Sequence, residues 1–229
     1  MMISPESYYE MNLKGKTAKQ IMSIIRGLKQ EIGHLKNTME HPDYGSEPVM
    51  RPSEATRLSC TRDYLTRAKL ALAEAGVVYK PSQAELKAQE FENNLPFISK
   101  IIFFIGGFFG GYETRTVTIN GDEICINVEH SLIPTPSNLG EFEIEPLDKE
   151  EFMDELSRLY IGEWHRSYHP ERFGYSYCDG TQWELEIQFS NGAKPFKCYG
   201  DNSYPYNFDK FQELLGIDTT EEPEEEEDE

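Results

Sequence analysis

The run Ile101 to Glu113, "IIFFIGGFFGGYE", constrains this chain more than any other stretch, because it crowds seven large apolar side chains and four glycines into thirteen residues. A membrane-spanning helix needs roughly 20 apolar residues. The apolar stretch here, Phe97 to Phe109, is 13 residues long and contains Lys100 and two glycines. A phosphate-cradling loop needs its glycines between a strand and a helix, with a Lys and a Ser or Thr following. The sequence "GGFFGGYETRTVTING" leads instead into a strand pattern. The reading that remains is a buried strand, Ser99 to Ile105, bent or bulged at Gly106–Gly107 and again at Gly110–Gly111, with Phe103, Phe104, Phe108 and Phe109 in the core.

The residues that follow extend the sheet. Val117 and Ile119, then Ile124, Ile126 and Val128, alternate with polar residues on either side of Asn120-Gly121, a type I′ hairpin signal. Further on, the turns Asp179-Gly180 and Asn191-Gly192 flank a strand on which Trp183, Leu185, Ile187 and Phe189 point one way and Glu184, Glu186 and Gln188 the other. One face is core and the other acidic. A loop, "IPTPSNLGEFEIEP", precedes a helix opened by "DKEE", which carries Phe152, Leu156, Leu159 and Tyr160 on one face. Asn207 is expected to cap a terminal helix with Phe208, Phe211, Leu214 and Leu215 inward and Gly216 as its stop.

Ahead of the sheet the period changes. Ile21, Ile25, Leu28, Ile32, Leu35 and Met39 are spaced by 4, 3, 4, 3 and 4 residues, a heptad seam starting near Thr17. After "HPDYGSEPVMRP", Ser53 can cap a second helix with Ala55, Leu58, Leu65, Ala68, Leu72 and Ala75 on one face and Gly76 as its stop. The pair predicts an antiparallel helical hairpin whose two seams face each other; the same seam could serve as a dimerisation or partner arm. "SQAE" at Ser82 to Glu85 marks a short third helix. The expected fold class is α+β: a helical hairpin region over 1–95, an α+β domain of two β-meander segments over 96–217, and a disordered acidic tail over 218–229.

Charge divides the chain in the same place. Residues 1–100 hold 14 basic and 12 acidic residues, 101–220 hold 8 and 21, and 221–229 add eight acids, which together give the net −19. Binding to phosphates depends on Lys and Arg, so direct nucleic-acid binding is not expected. The acidity suits a basic protein partner, and it also serves plain solubility.

Cys60, Cys125, Cys178 and Cys198 form no CxxC pair, and no apolar signal sequence with a charged flank is present. Reduced thiols in a bacterial cytoplasm, or in the host cytoplasm if a phage encodes the chain, are therefore expected, with no membrane segment. His165 and His169 stand at i and i+4 in "WHRSYHP", but Pro170 ends any helix there; they are the weak candidates for a metal site or a metal-dependent enzyme. No nucleophile, base and acid form a recognisable constellation. No cofactor and no enzymatic activity are expected.

Four phrases, "IGGFFGGYETRTVTINGDE", "IGEWHRSY", "DGTQWELEIQFSNG" and "YGDNSYPYNFDKF", resemble a family of uncharacterised small proteins of Gram-positive gut bacteria, often associated with mobile elements. The resemblance covers roughly 97–216 and leaves the helical hairpin outside. It implies an accessory bacterial protein of the cytosol. Size, acidity and such a setting are also shared by phage-encoded inhibitors of bacterial defence, including anti-CRISPR proteins that mimic DNA. The expected function is a non-enzymatic inhibitor of that kind, with a CRISPR effector nuclease or another DNA-handling enzyme as partner. The expected contact residues are Glu123, Glu129, Glu184, Glu186 and Asp201. The alternative is a scaffold that dimerises through Ile21, Ile25, Leu28, Ile32 and Leu35.

Overall fold

The computed structural model describes residues 2–46, 52–107, 110–131 and 148–217. The loop expected over 132–147, the tail over 218–229, and Phe108 and Phe109 lie outside the described residues. Two compact units divide at Ser82/Gln83.

In the first unit the heptad seam becomes α2, Ala18–Met39, opened by a Thr17/Gln20 capping box. Ser53 caps α3, Glu54–Glu74, by accepting from the Thr56 N–H. The two run antiparallel, so that Ile21 and Ile25 meet Ala68, Ala71 and Leu72; Ile25 is 1% exposed and Leu72 0%. Alanines on α3 let the backbones approach, and the isoleucines of α2 fill the space. Ala55 and Ala75, expected on the inner face, are exposed; Ala55 lies in the first turn of α3 and Ala75 just past its end.

A segment missing from the sequence reading packs against this pair. Ser4 caps α1, Pro5–Tyr8, which runs on into a π-helical turn, Tyr9–Leu13. Tyr8 stacks on Tyr64 at 4.2 Å, the Arg67 guanidinium lies 3.9 Å from the Tyr9 ring centroid, and Leu13 is buried. Past α3, Tyr79 returns to accept a hydrogen bond from Lys29 at 3.1 Å.

The second unit is one six-stranded sheet: β1 (Ile98–Gly107), β2 (Gly111–Asn120), β3 (Glu123–His130), β4 (Ser167–Tyr168), β5 (Thr181–Phe189) and β6 (Phe196–Asp201), in the order β3-β2-β1-β5-β6-β4. All neighbours are antiparallel except β4 and β6. The two meanders share this sheet because β1 pairs with β5. The class is α+β. Among the described residues three α-helices accompany the sheet: α4 (Gln83–Asn94), α5 (Lys149–Arg158) and α6 (Phe208–Leu214).

Alternation explains the layering. Ile101, Phe103, Val117, Trp183, Leu185, Ile187 and Cys198 turn to one face, where they meet Phe152 and Leu156 of α5 and Phe208 and Phe211 of α6. Phe103 stands edge-on to Phe211 at 5.2 Å, a favoured ring geometry. Phe91 and Leu95 join this core, Phe91 packing edge-on against Phe196 at 5.0 Å. That burial draws the third helix into the sheet unit, so the boundary falls at 82/83 and not at 95.

The glycine run is the end of a hairpin more than a bulge. β1 ends at Gly107 and β2 starts at Gly111, with Gly107 paired to Gly111. A Cβ on Gly106 would lie 2.2 Å from the Gly111 carbonyl oxygen, and one on Gly107 2.7 Å from that of Gly180. Only glycine permits these approaches.

Two local expectations change. Tyr160 does not continue α5; it adopts φ 51, ψ 43 just past the helix end, and is 38% exposed. Asn207 does not cap α6 with its side chain. Its amide donates to the Leu159 carbonyl at 2.7 Å and accepts from Trp164 Nε1 at 3.1 Å, bonds that tie three segments together.

Candidate interaction face

Strand parity places the five expected contact carboxylates on one side. Odd residues of β3, even residues of β2, of β5 and of β1 from Lys100 on, and odd residues of β6 point away from the core, while a register shift between Ile98 and Lys100 turns Ile98 inward. Glu123, Glu129, Glu184, Glu186 and Asp201 belong to this set. Past that shift none of the outward strand residues is buried, whereas Ile101, Phe103, Trp183 and Ile187 on the other side are 0% exposed.

Two cross-strand rows define the centre. One reads Glu129, Thr114, Phe104, Glu184, Tyr199 across five strands; the next reads Asn127, Thr116, Ile102, Glu186, Lys197. At about 4.8 Å between strands, Glu129 and Glu184 stand about 14 Å apart. Thr114 and Phe104 fill the interval. The face is a mixed surface with five carboxylates and two lysines, Lys100 and Lys197, and not a continuous anionic strip.

The carboxylates differ in what they already hold. Lys197 Nζ donates to Glu186 at 2.5 Å and Gln188 Nε2 donates to its other oxygen at 2.9 Å. The Lys197 hydrogen bond first, then that from Gln188, pulls the Glu186 pKa down. Glu129 accepts from Asn127 at 3.0 Å and Asp201 from Asn202 at 3.0 Å. Glu184 is exposed, and among the described residues neither a hydrogen bond nor an ion pair engages its carboxylate.

The face also carries aromatic residues. Phe104, expected in the core, points outward with Lys100 and Ile102 and stacks on Tyr112 at 4.9 Å with an interplanar angle of 16°. Its parity, opposite to Ile101 and Phe103, carries that information. Tyr199 is 46% exposed and stands edge-on to His169 at 5.8 Å.

The other candidates are dispersed. His165 and His169 are exposed, His165 standing edge-on to Tyr168 at 5.5 Å. Among the described residues no three His, Cys, Asp or Glu side chains are grouped to hold a metal ion. Cys198 is buried, which pushes its thiol pKa up and keeps it unreactive, while Cys125 and Cys178 are exposed. Ile21, Ile25 and Leu35 are buried and Leu28 and Ile32 half-buried within the first unit, so the seam is largely occupied inside one chain. Among the described residues no helix is long and apolar enough to cross a membrane.

No family model, curated protein or solved structure matches the chain.

Proposed function

We propose that the chain is a non-enzymatic binding protein whose outward sheet face engages a basic protein, and that this partner is a nucleic-acid-directed bacterial defence enzyme inhibited by the contact. The observation that carries the reading is the gathering of Glu123, Glu129, Glu184, Glu186 and Asp201 on the side of one sheet that faces away from its core. A surface of that sign attracts a basic partner, speeds encounter and repels acidic competitors. The rigid strands hold the side chains at fixed spacings. The charge of residues 101–220, 8 basic against 21 acidic, supports the same direction of attraction.

The defence-enzyme identity rests on the resemblance to mobile-element proteins and on the match of sign to enzymes that bind polyanions. Glu184 and Glu186, two residues apart on β5, lie about 7 Å from each other, close to the spacing of successive phosphates on one strand. Interruption of the acids by Thr and aromatic residues favours a docking patch over a full imitation of a duplex.

The test is cleavage of a target duplex by purified, guide-loaded CRISPR effector nucleases with and without the full chain. The reading expects at least one enzyme to be inhibited at low salt, with relief at high salt and on Glu184→Arg together with Glu129→Arg. Undiminished cleavage across the panel at low salt would remove the defence-enzyme identity.

A further inference from the structure

Resting on the binding reading above, we propose that the face contains an arginine-reading subsite: Glu184, set between the stacked Phe104–Tyr112 pair and Tyr199, receives a guanidinium presented by the basic partner.

Glu184 pairs across β5 with Phe104 on one neighbouring strand and Tyr199 on the other. Directly opposed residues in antiparallel strands have Cβ atoms about 4.5–5.5 Å apart, so Phe104 and Tyr199 are the first cross-strand neighbours of Glu184 on either side. Tyr112 extends the platform by stacking on Phe104 at 4.9 Å, and His169 stands against the Tyr199 ring at 5.8 Å. The result is one carboxylate in a cross-strand row between two aromatic residues.

Neighbouring groups sharpen the assignment. Two residues along β5, Glu186 already holds Lys197 and Gln188, so it offers little to an incoming cation. Glu184 holds nothing among the described residues and is exposed. A planar guanidinium matches this pair of features: its fork binds a carboxylate with two parallel donors, and its face stacks on a ring. An ammonium answers the charge but is compact, strongly hydrated and lacks the planar face. Arginine-rich segments are therefore the chemistry selected.

Binding of hexa-arginine and hexa-lysine to the full chain, followed by amide shifts in two-dimensional NMR, separates charge from shape. We expect hexa-arginine to bind about fivefold or more tightly than hexa-lysine, with shifts at Phe104, Glu184 and Tyr199. Glu184→Gln should weaken hexa-arginine most. Tyr199→Ala should cut the arginine preference while leaving hexa-lysine binding nearly unchanged. Both side chains are exposed, so unchanged melting temperatures will show that the variants fold. Equal affinity of the two peptides on the face, or an arginine preference unaltered by both substitutions, would overturn the subsite and leave the basic-partner reading standing. Shifts from neither peptide on the face would overturn both.

Discussion

The guanidinium of Arg115 donates to the main-chain carbonyl of Leu215 at 2.6 Å, joining the second strand to the end of the last helix across a hundred residues of sequence. Arg115 is buried, and Glu113 pairs with its Nε. A cation here answers a carbonyl left without a partner at a helix C-terminus.

Replacing Arg115 by Met removes that donor and leaves two acceptors short of a partner. We expect a loss of about 2–4 kcal/mol in urea unfolding, with Arg115→Lys losing less because it keeps the charge without the fork.

Gly200→Ala should be similarly costly. Its Cβ would come within 2.3 Å of Trp183 Nε1 and 2.5 Å of the Ser203 carbonyl oxygen. Those two atoms are hydrogen-bonded to each other at 2.9 Å. The indole must move, so near-ultraviolet dichroism should change along with a destabilisation of about 2–4 kcal/mol.

Ile25→Ala tests whether the heptad seam works within the chain. Ile25 is 1% exposed against Ala68, Ala71 and Leu72, so truncation should cost about 2–4 kcal/mol. Light scattering should give the same molar mass for variant and wild type. A wild-type dimer that Ile25→Ala dissociates would restore the seam as an interface.

The Glu186–Lys197 pair predicts a small pH effect of defined sign. Its folded pKa lies below the ordinary carboxylate value of 4.5, so its contribution is present above that value and fades as pH falls through the lower folded pKa. Glu186→Gln should therefore cost at most about 1 kcal/mol near neutrality and nothing in strong acid, as equilibrium unfolding at the two pH values will show.

The sequence made the periodic features legible and hid the long-range ones. The spacing of Ile21 to Met39 and the alternation from Trp183 to Phe189 reflect local geometry, and both elements formed as expected. The pairing of β1 with β5 joins residues some eighty positions apart, and no local signal announces it. For the same reason the glycines at 106 and 107 read as a bulge, although the Gly111 and Gly180 carbonyls dictate them. Asn207 looked like a cap because its type and position fit one; Leu159 and Trp164 claim its amide. Within the candidate face the acids were legible from parity alone. Phe104 belongs to an apolar run that reads as core, but its parity with Lys100 and Ile102 turns it to the outward face. In the segment Pro5–Leu13, Ser4-Pro5 is a helix start and Tyr8, Tyr9 and Leu13 supply its apolar side, a signal too short for periodicity to reveal.

The most direct test of the basic-partner account is site-specific photocrosslinking from two positions, in a lysate of a CRISPR-bearing Gram-positive gut bacterium. A benzophenone side chain at Gln182, exposed on the outward face of β5, keeps Glu184 in place; one at Met11, 74% exposed in the first unit, serves as comparison. The account predicts an adduct from Gln182 with a basic protein, lost at high salt, and none of that kind from Met11. Adducts from Met11 alone, or salt-resistant adducts from Gln182 with acidic proteins, would contradict it.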